Sequence, residues 1–190
     1  MLEKIKSIYT ESIQTFISSG EVLPDQLQLA SNMMVQCLLN GNKVITCGVG
    51  STTLLADHLA DMLVNHYEIE RPCLPALSLS HNLSSDGDCY ARQIRALGNA
   101  TDILLAISPL GHDEVVISAV ESALTKDMIV IALTGGDGGE LAGLLSDNDV
   151  EIRIPSTRPS RIIETHLFNI HCLCDLIDTM LFSQPAENEE

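Results

Sequence analysis

A three-layer α/β domain, with a parallel sheet covered on both faces and two helices in front of it, is the fold the sequence predicts. Three observations carry that reading. From Lys43 onward the apolar pattern changes from helical spacing to short continuous runs of Ile, Val, Leu and Ala separated by helical segments, as strands buried on both faces require. Two of those runs end in glycine-bearing loops at which a helical pattern begins, Cys47-Gly-Val-Gly-Ser-Thr52 and Ser108-Pro-Leu-Gly-His112. The chain has 190 residues, 45% of them hydrophobic, which is enough for one domain with a full core.

The elements follow in order. Ile5, Ile8, Tyr9, Ile13, Phe16 and Ile17 recur at helical spacing, and Leu27 to Leu39 does so again after Pro24-Asp25, so two helices come first. Strands are predicted at 43–47, 74–79, 102–107, 128–133 and 149–154, and helices at 52–66, 88–98, 113–125 and 160–182. Thr134-Gly-Gly-Asp-Gly-Gly139 carries four glycines, which suit a sharp reversal of the chain; it reads as a turn, with ligand contact as the other reading. Residues 1–186 are expected to form a single domain with 1–40 as a helical extension, and the acidic end Glu187-Asn-Glu-Glu190 to be disordered.

Composition removes several function classes. A formal charge of −16 with ten scattered Lys and Arg would repel a phosphate backbone, so direct nucleic-acid binding is not expected. The six cysteines, Cys37, Cys47, Cys73, Cys89, Cys172 and Cys174, contain no C-x-x-C pair, which argues against zinc knuckles and disulfide frameworks alike. The N-terminus mixes charges into every turn, and no apolar stretch approaches the roughly 18 residues needed to cross a membrane. A soluble cytoplasmic protein is expected.

The two glycine loops are the candidate site. A strand, a glycine turn and a helix N-terminus follow one another twice, the layout in which backbone N–H groups and hydroxyls cradle a phosphate. They point to a phosphorylated small molecule, with Ser51, Thr52 and Ser108 as the binding hydroxyls. The second loop is poorly equipped for this: Pro109 has no N–H, Leu110 no hydroxyl, and Asp113 brings a negative charge to where the phosphate would sit. His66, His81, His112 and His166 have no partner at a recognisable spacing and receive no role.

Several segments together carry a resemblance over nearly the whole chain: Leu39-Asn-Gly-Asn-Lys-Val, Glu70-Arg-Pro-Cys-Leu-Pro-Ala, Gln93-Ile-Arg-Ala-Leu-Gly, Asp102-Ile-Leu-Leu-Ala-Ile-Ser, Ala132-Leu-Thr-Gly-Gly-Asp-Gly-Gly-Glu-Leu, Val150-Glu-Ile-Arg-Ile-Pro-Ser and Cys172-Leu-Cys-Asp-Leu-Ile-Asp-Thr-Met-Leu-Phe182. The sequence resembles the sugar isomerase (SIS) domain family of the phosphoheptose isomerase type, and most closely its DnaA initiator-associating branch. The resemblance implies a flavodoxin-like SIS fold. In the isomerases, a helix after the first loop bears a His and, four residues later, a Glu serving as metal ligand or base; a late helix bears a Gln and, eight residues on, a His. The matching positions here are His58, Met62, Ile163 and His171.

Both histidines remain, while the carboxylate and the amide are gone. A thioether cannot take a proton from a sugar carbon near neutral pH, and two His alone fall short of a zinc ligand set. Asp61 lies roughly 100° around the helix from Met62, a poor substitute. The first loop, Gly-Asn-Gly-Gly-Ser in the isomerases, is Gly48-Val-Gly-Ser-Thr52 here, and the segment Ser80 to Asp88 is shorter than the isomerase loop that closes over substrate. His58 and His171 are therefore expected to be vestigial, with no catalytic residue, metal or cofactor.

What the resemblance implies is a non-enzymatic homo-oligomer, a tetramer, that binds DnaA and promotes its assembly at the replication origin. Leu181 and Phe182 would be the partner contact, rimmed by Asp178 and Glu187, and the apolar residues of the leading and last helices would bury subunit interfaces. An active phosphoheptose isomerase acting on sedoheptulose 7-phosphate, or a non-catalytic sugar-phosphate sensor, are the alternatives.

Overall fold

The change of periodicity at Lys43 marks where the sheet begins. In the computed structural model, which describes residues 1–80 and 88–182, helices α1 (Leu2–Val22) and α2 (Pro24–Leu39) precede β1 (Val44–Gly48). A single 3-10 turn, Gly50–Thr52, leads into α3 (Thr53–Val64), followed by β2 (Ala76–Ser78), α4 (Cys89–Leu97), β3 (Ile103–Ile107) and α5 (Glu114–Thr125). The chain then forms β4 (Ile129–Gly135), α6 (Gly139–Ala142), β5 (Val150–Ile154) and α7 (Pro159–Phe182). All strand pairs are parallel, in the order β2-β1-β3-β4-β5, a doubly wound arrangement of flavodoxin type.

The expected layers follow from alternation within the strands. Ile103, Leu105, Ile107, Ile131, Leu133 and Ile152 join one apolar cluster with Met34 of α2, Leu59 and Leu63 of α3, and Ile170 and Leu173 of α7. Leu104, Ala106, Val130 and Ala132 join the other with Tyr90 and Ile94 of α4 and Val116 and Val120 of α5. Successive side chains point to opposite faces of a strand, so a run that is apolar at every position needs helices on both sides. At the opposite end of the strands from the glycine loops, the buried Asp102 carboxylate ties the sheet together. It accepts from Lys43 N at 3.0 Å, Asn99 N at 2.8 Å and Asn42 Nδ2 at 3.1 Å.

Two elements differ from expectation. β2 is three residues long rather than spanning 74–79; it is an edge strand preceded by Pro75, which has no N–H to offer a ladder. The glycine-rich turn leads into α6, a four-residue helical turn that the sequence did not predict because so short a segment shows no period. The turn packs backbone against backbone on the second glycine loop, with Leu141 N–H bonded to Gly111 O at 3.0 Å.

Helix α1 lies on α7 with its more polar side inward. Thr15 and Ser19 are buried, whereas Leu2, Ile5, Tyr9, Ile13 and Ile17 face solvent. Arg158 pairs with Glu11, Arg161 Nη1 reaches Ile8 O at 3.1 Å, and Phe16 meets Phe168 edge to face at 5.5 Å. Among the described residues no helix is long and apolar enough to cross a membrane. Among the described residues no cysteine forms a disulfide. The predicted acidic tail and residues 81–87 of the shortened segment lie outside the described residues.

A buried histidine in α7 yields a pH-dependent stability. His166 is fully buried and its Nε2–H donates to Thr134 O at 2.8 Å. Burial holds its pKa down to about 4, with the bond to Thr134 opposing. The unfolded chain takes up the proton near pH 6.5, so between pH 6.5 and 4 it binds more protons than the folded chain and stability falls as pH falls. The full loss by pH 4 is about 3 kcal/mol. Urea unfolding at pH 7 and pH 4.5 should show this dependence, reduced in His166→Gln; an unchanged pH dependence in the variant would assign it to other groups.

Candidate functional site

Strand order reverses between β1 and β3, so the loops leaving these strands diverge and leave a crevice at the carboxyl end of the sheet. A cavity of about 310 Å³ sits there, walled by Val49, Ser51, Thr52, Leu110, Asp113 and Ile163. Of the three predicted hydroxyls, that of Ser51 is on an exposed residue. Thr52 is 1% exposed. Its Oγ1 accepts from Val49 N–H at 2.9 Å and shares its own hydrogen between the carbonyls of Val49 and Ile107, at 3.0 and 3.3 Å. Ser108 is fully buried and its hydroxyl donates to Asp113 Oδ2 at 2.6 Å. The structure thus brings both loops to one cleft but closes two of the three hydroxyls on the protein itself, and an entering anion meets the Asp113 carboxylate.

The two retained histidines come together from α3 and α7. His58 Nε2 lies 2.9 Å from His171 Nε2, which requires one ring to donate and the other to accept. Tyr67 stacks on His171 at 5.6 Å. Burial and the neighbouring His58 lower the pKa of His171, and Glu68 opposes them. Met62 and Ile163, at the positions where the resemblance implies a Glu and a Gln, are apolar: Met62 is buried in the main apolar cluster and Ile163 packs against it. This donor set does not fit a divalent metal: the two rings bond each other and the other two side chains are apolar. Among the described residues no three His, Cys, Asp or Glu side chains gather where they could hold a metal ion.

At the far end of α7, Leu181 and Phe182 are half-buried and pack against the main core cluster. Asp178 departs from its expected place on a charged rim. It is 5% exposed and accepts from Arg71 Nε at 2.6 Å. One helical turn ahead of Phe182, it faces the same inward side and has been drawn into an ion pair. Glu187 lies outside the described residues. Arg71 was not legible as a site residue, because its partner is 107 positions further along the chain.

Comparison with known proteins agrees with this architecture. The SIS domain, as a family description, matches residues 8–135. The chain is 52% identical to the DnaA initiator-associating protein DiaA of Erwinia tasmaniensis, over 96% of this chain and 97% of that one. With the DnaA initiator-associating protein DiaA of Serratia proteamaculans it shares 50% identity, over 98% of this chain and 100% of that one. Among solved structures, a phosphoheptose isomerase from Francisella tularensis superposes with a TM-score of 0.90 at 43% identity, covering 94% of this chain and 98% of that one.

Proposed function

The chain belongs to the SIS-domain family, and on that premise we propose that it is a non-enzymatic member that binds the replication initiator DnaA and promotes its assembly at the chromosomal origin, in the cytoplasm. The observation that carries the proposal is likeness along the whole length to DnaA initiator-associating proteins. The apolar side chains of Met62 and Ile163 support it, since a site built on them lacks the base and the amide of an isomerase. Leu181 and Phe182 are the proposed contact with DnaA.

The same protein is proposed to be a homotetramer. The apolar stripe Leu2, Ile5, Tyr9, Ile13 and Ile17 on the outer side of α1 supports this, because a row of exposed apolar side chains along one helix is what subunit association covers. A tetramer presents its DnaA contact repeatedly and raises the local concentration of bound initiators without chemistry. It needs no basic surface, since contact with DNA belongs to DnaA. A phosphosugar-binding role is the second reading, favoured by the survival of both glycine loops around the cleft. Ser51 is its exposed hydroxyl, and Thr52 and Ser108 would have to release their present partners.

One set of measurements tests the reading. The purified protein is expected to capture purified DnaA, to scatter light as a multiple of its 20.6 kDa chain, and to show no turnover of sedoheptulose 7-phosphate with or without added zinc. Turnover above a mock preparation, together with failure to capture DnaA, would replace it with the isomerase reading.

A further inference from the structure

The clamp that holds the end of α7 comes from outside the helix. The last carbonyls of a helix have no intrahelical partners and its end frays, and the last turn of α7 carries no basic residue. Phe182 is the final residue of that turn. The Arg71 side chain, in the loop between α3 and β2, is 1% exposed. Its Nε–H donates to Asp178 Oδ1 at 2.6 Å, Nη2 donates to Met62 O at 2.8 Å, and Nη1 to Leu63 O at 2.9 Å and Pro72 O at 3.2 Å. The edges of the guanidinium are therefore used on the last turn of α3, the loop and Asp178. Its face remains, and the centroid of the Phe182 ring lies 5.9 Å from its central carbon, within the range of a cation–π contact. Asp178 and Phe182 are four residues apart and share one side of α7, so one cation engages both the carboxylate and the ring. The second Asp178 oxygen is buried without a partner among the described residues, which leaves the carboxylate dependent on Arg71.

We infer that Arg71, anchored by Asp178 and the α3 carbonyls, is a positioning residue that fixes the direction in which Phe182 is presented to the partner. The inference rests on the reading of Leu181 and Phe182 as the DnaA contact. The Arg71 side chain is buried and cannot itself touch a partner, so any effect of replacing it on affinity must pass through the groups it holds.

The test is a double-mutant cycle read as affinity for purified DnaA by surface plasmon resonance. Arg71→Met with Asp178→Leu removes both charges together and leaves neither unpaired; it is measured with Phe182 intact and in Phe182→Leu, which keeps an apolar anchor but loses the ring. Removing the clamp should weaken binding about tenfold when Phe182 is present and less than about twofold in Phe182→Leu. An unchanged affinity, or the same loss in both backgrounds, overturns the inference. If the double variant does not fold, Arg71→Lys takes its place in the cycle: it keeps a cation beside Asp178 but not the planar fork, and the same dependence on Phe182 is required of it. If Leu181→Ala with Phe182→Ala binds DnaA as the parent does, the contact reading itself falls, an outcome distinct from failure of the cycle.

Discussion

Replacing Leu181 and Phe182 together by alanine will abolish capture of DnaA while the protein stays folded. An aliphatic and an aromatic side chain at the last turn of α7 are half-buried, so each has one side on the core and the other toward solvent. Anchors of this kind dominate small interfaces, and truncating one typically costs about 2 kcal/mol or more, roughly thirtyfold in affinity. The packing against the core cluster adds a stability effect. Because the pair is half-buried, a loss of roughly 3 kcal/mol of stability and a drop on the order of 10 °C in melting temperature are expected as well. Binding measured well below the melting transition separates the two effects. Parental affinity would remove the contact from this end of α7, and loss of the fold would make the pair core residues and nothing else.

Gly111→Ala will be among the most damaging single substitutions in the chain. Gly111 has a φ of +71°, and a Cβ there would lie 1.9 Å from the carbonyl oxygen of Gly138. Both atoms belong to backbones held by the bond from Leu141 N–H to Gly111 O, so neither can swing aside as a flexible side chain would. The left-handed conformation costs about 1–2 kcal/mol and the overlap about 1–3 kcal/mol, giving about 2–5 kcal/mol. Gly41→Ala is the control. Its φ is +78° but nothing lies within 4 Å of the added methyl, so only the conformational part, about 1–2 kcal/mol, should appear. Equal losses in urea unfolding would show that the approach of the two loops is not what Gly111 is needed for.

The glycine turn shows where legibility stopped. Four glycines between residues 134 and 139 announced a reversal, because positive φ is a property of the residue itself. That the turn packs against the loop after β3 depends on β3 and β4 being neighbours in the sheet, which no local pattern encodes. The phosphate loops divide in the same way. Their place at the carboxyl ends of β1 and β3 could be read from strand-then-glycine order, but the closing of Thr52 and Ser108 on Val49, Ile107 and Asp113 follows from the folded path of the two loops.

By itself the sequence determined the three layers, the two leading helices and the apolar residues at Met62 and Ile163. Those follow from periodicity and residue type, which act over a few neighbours along the chain and survive any error in how the elements pack. Only the tertiary structure decided that His58 and His171 bond each other, that His166 is sealed in the core, and that Asp178 is held inward by Arg71 rather than standing at a charged rim. Each of these depends on side chains brought together from distant elements, and a hydrogen bond or ion pair forms only within about 3 Å, a distance that residue spacing along a chain does not specify.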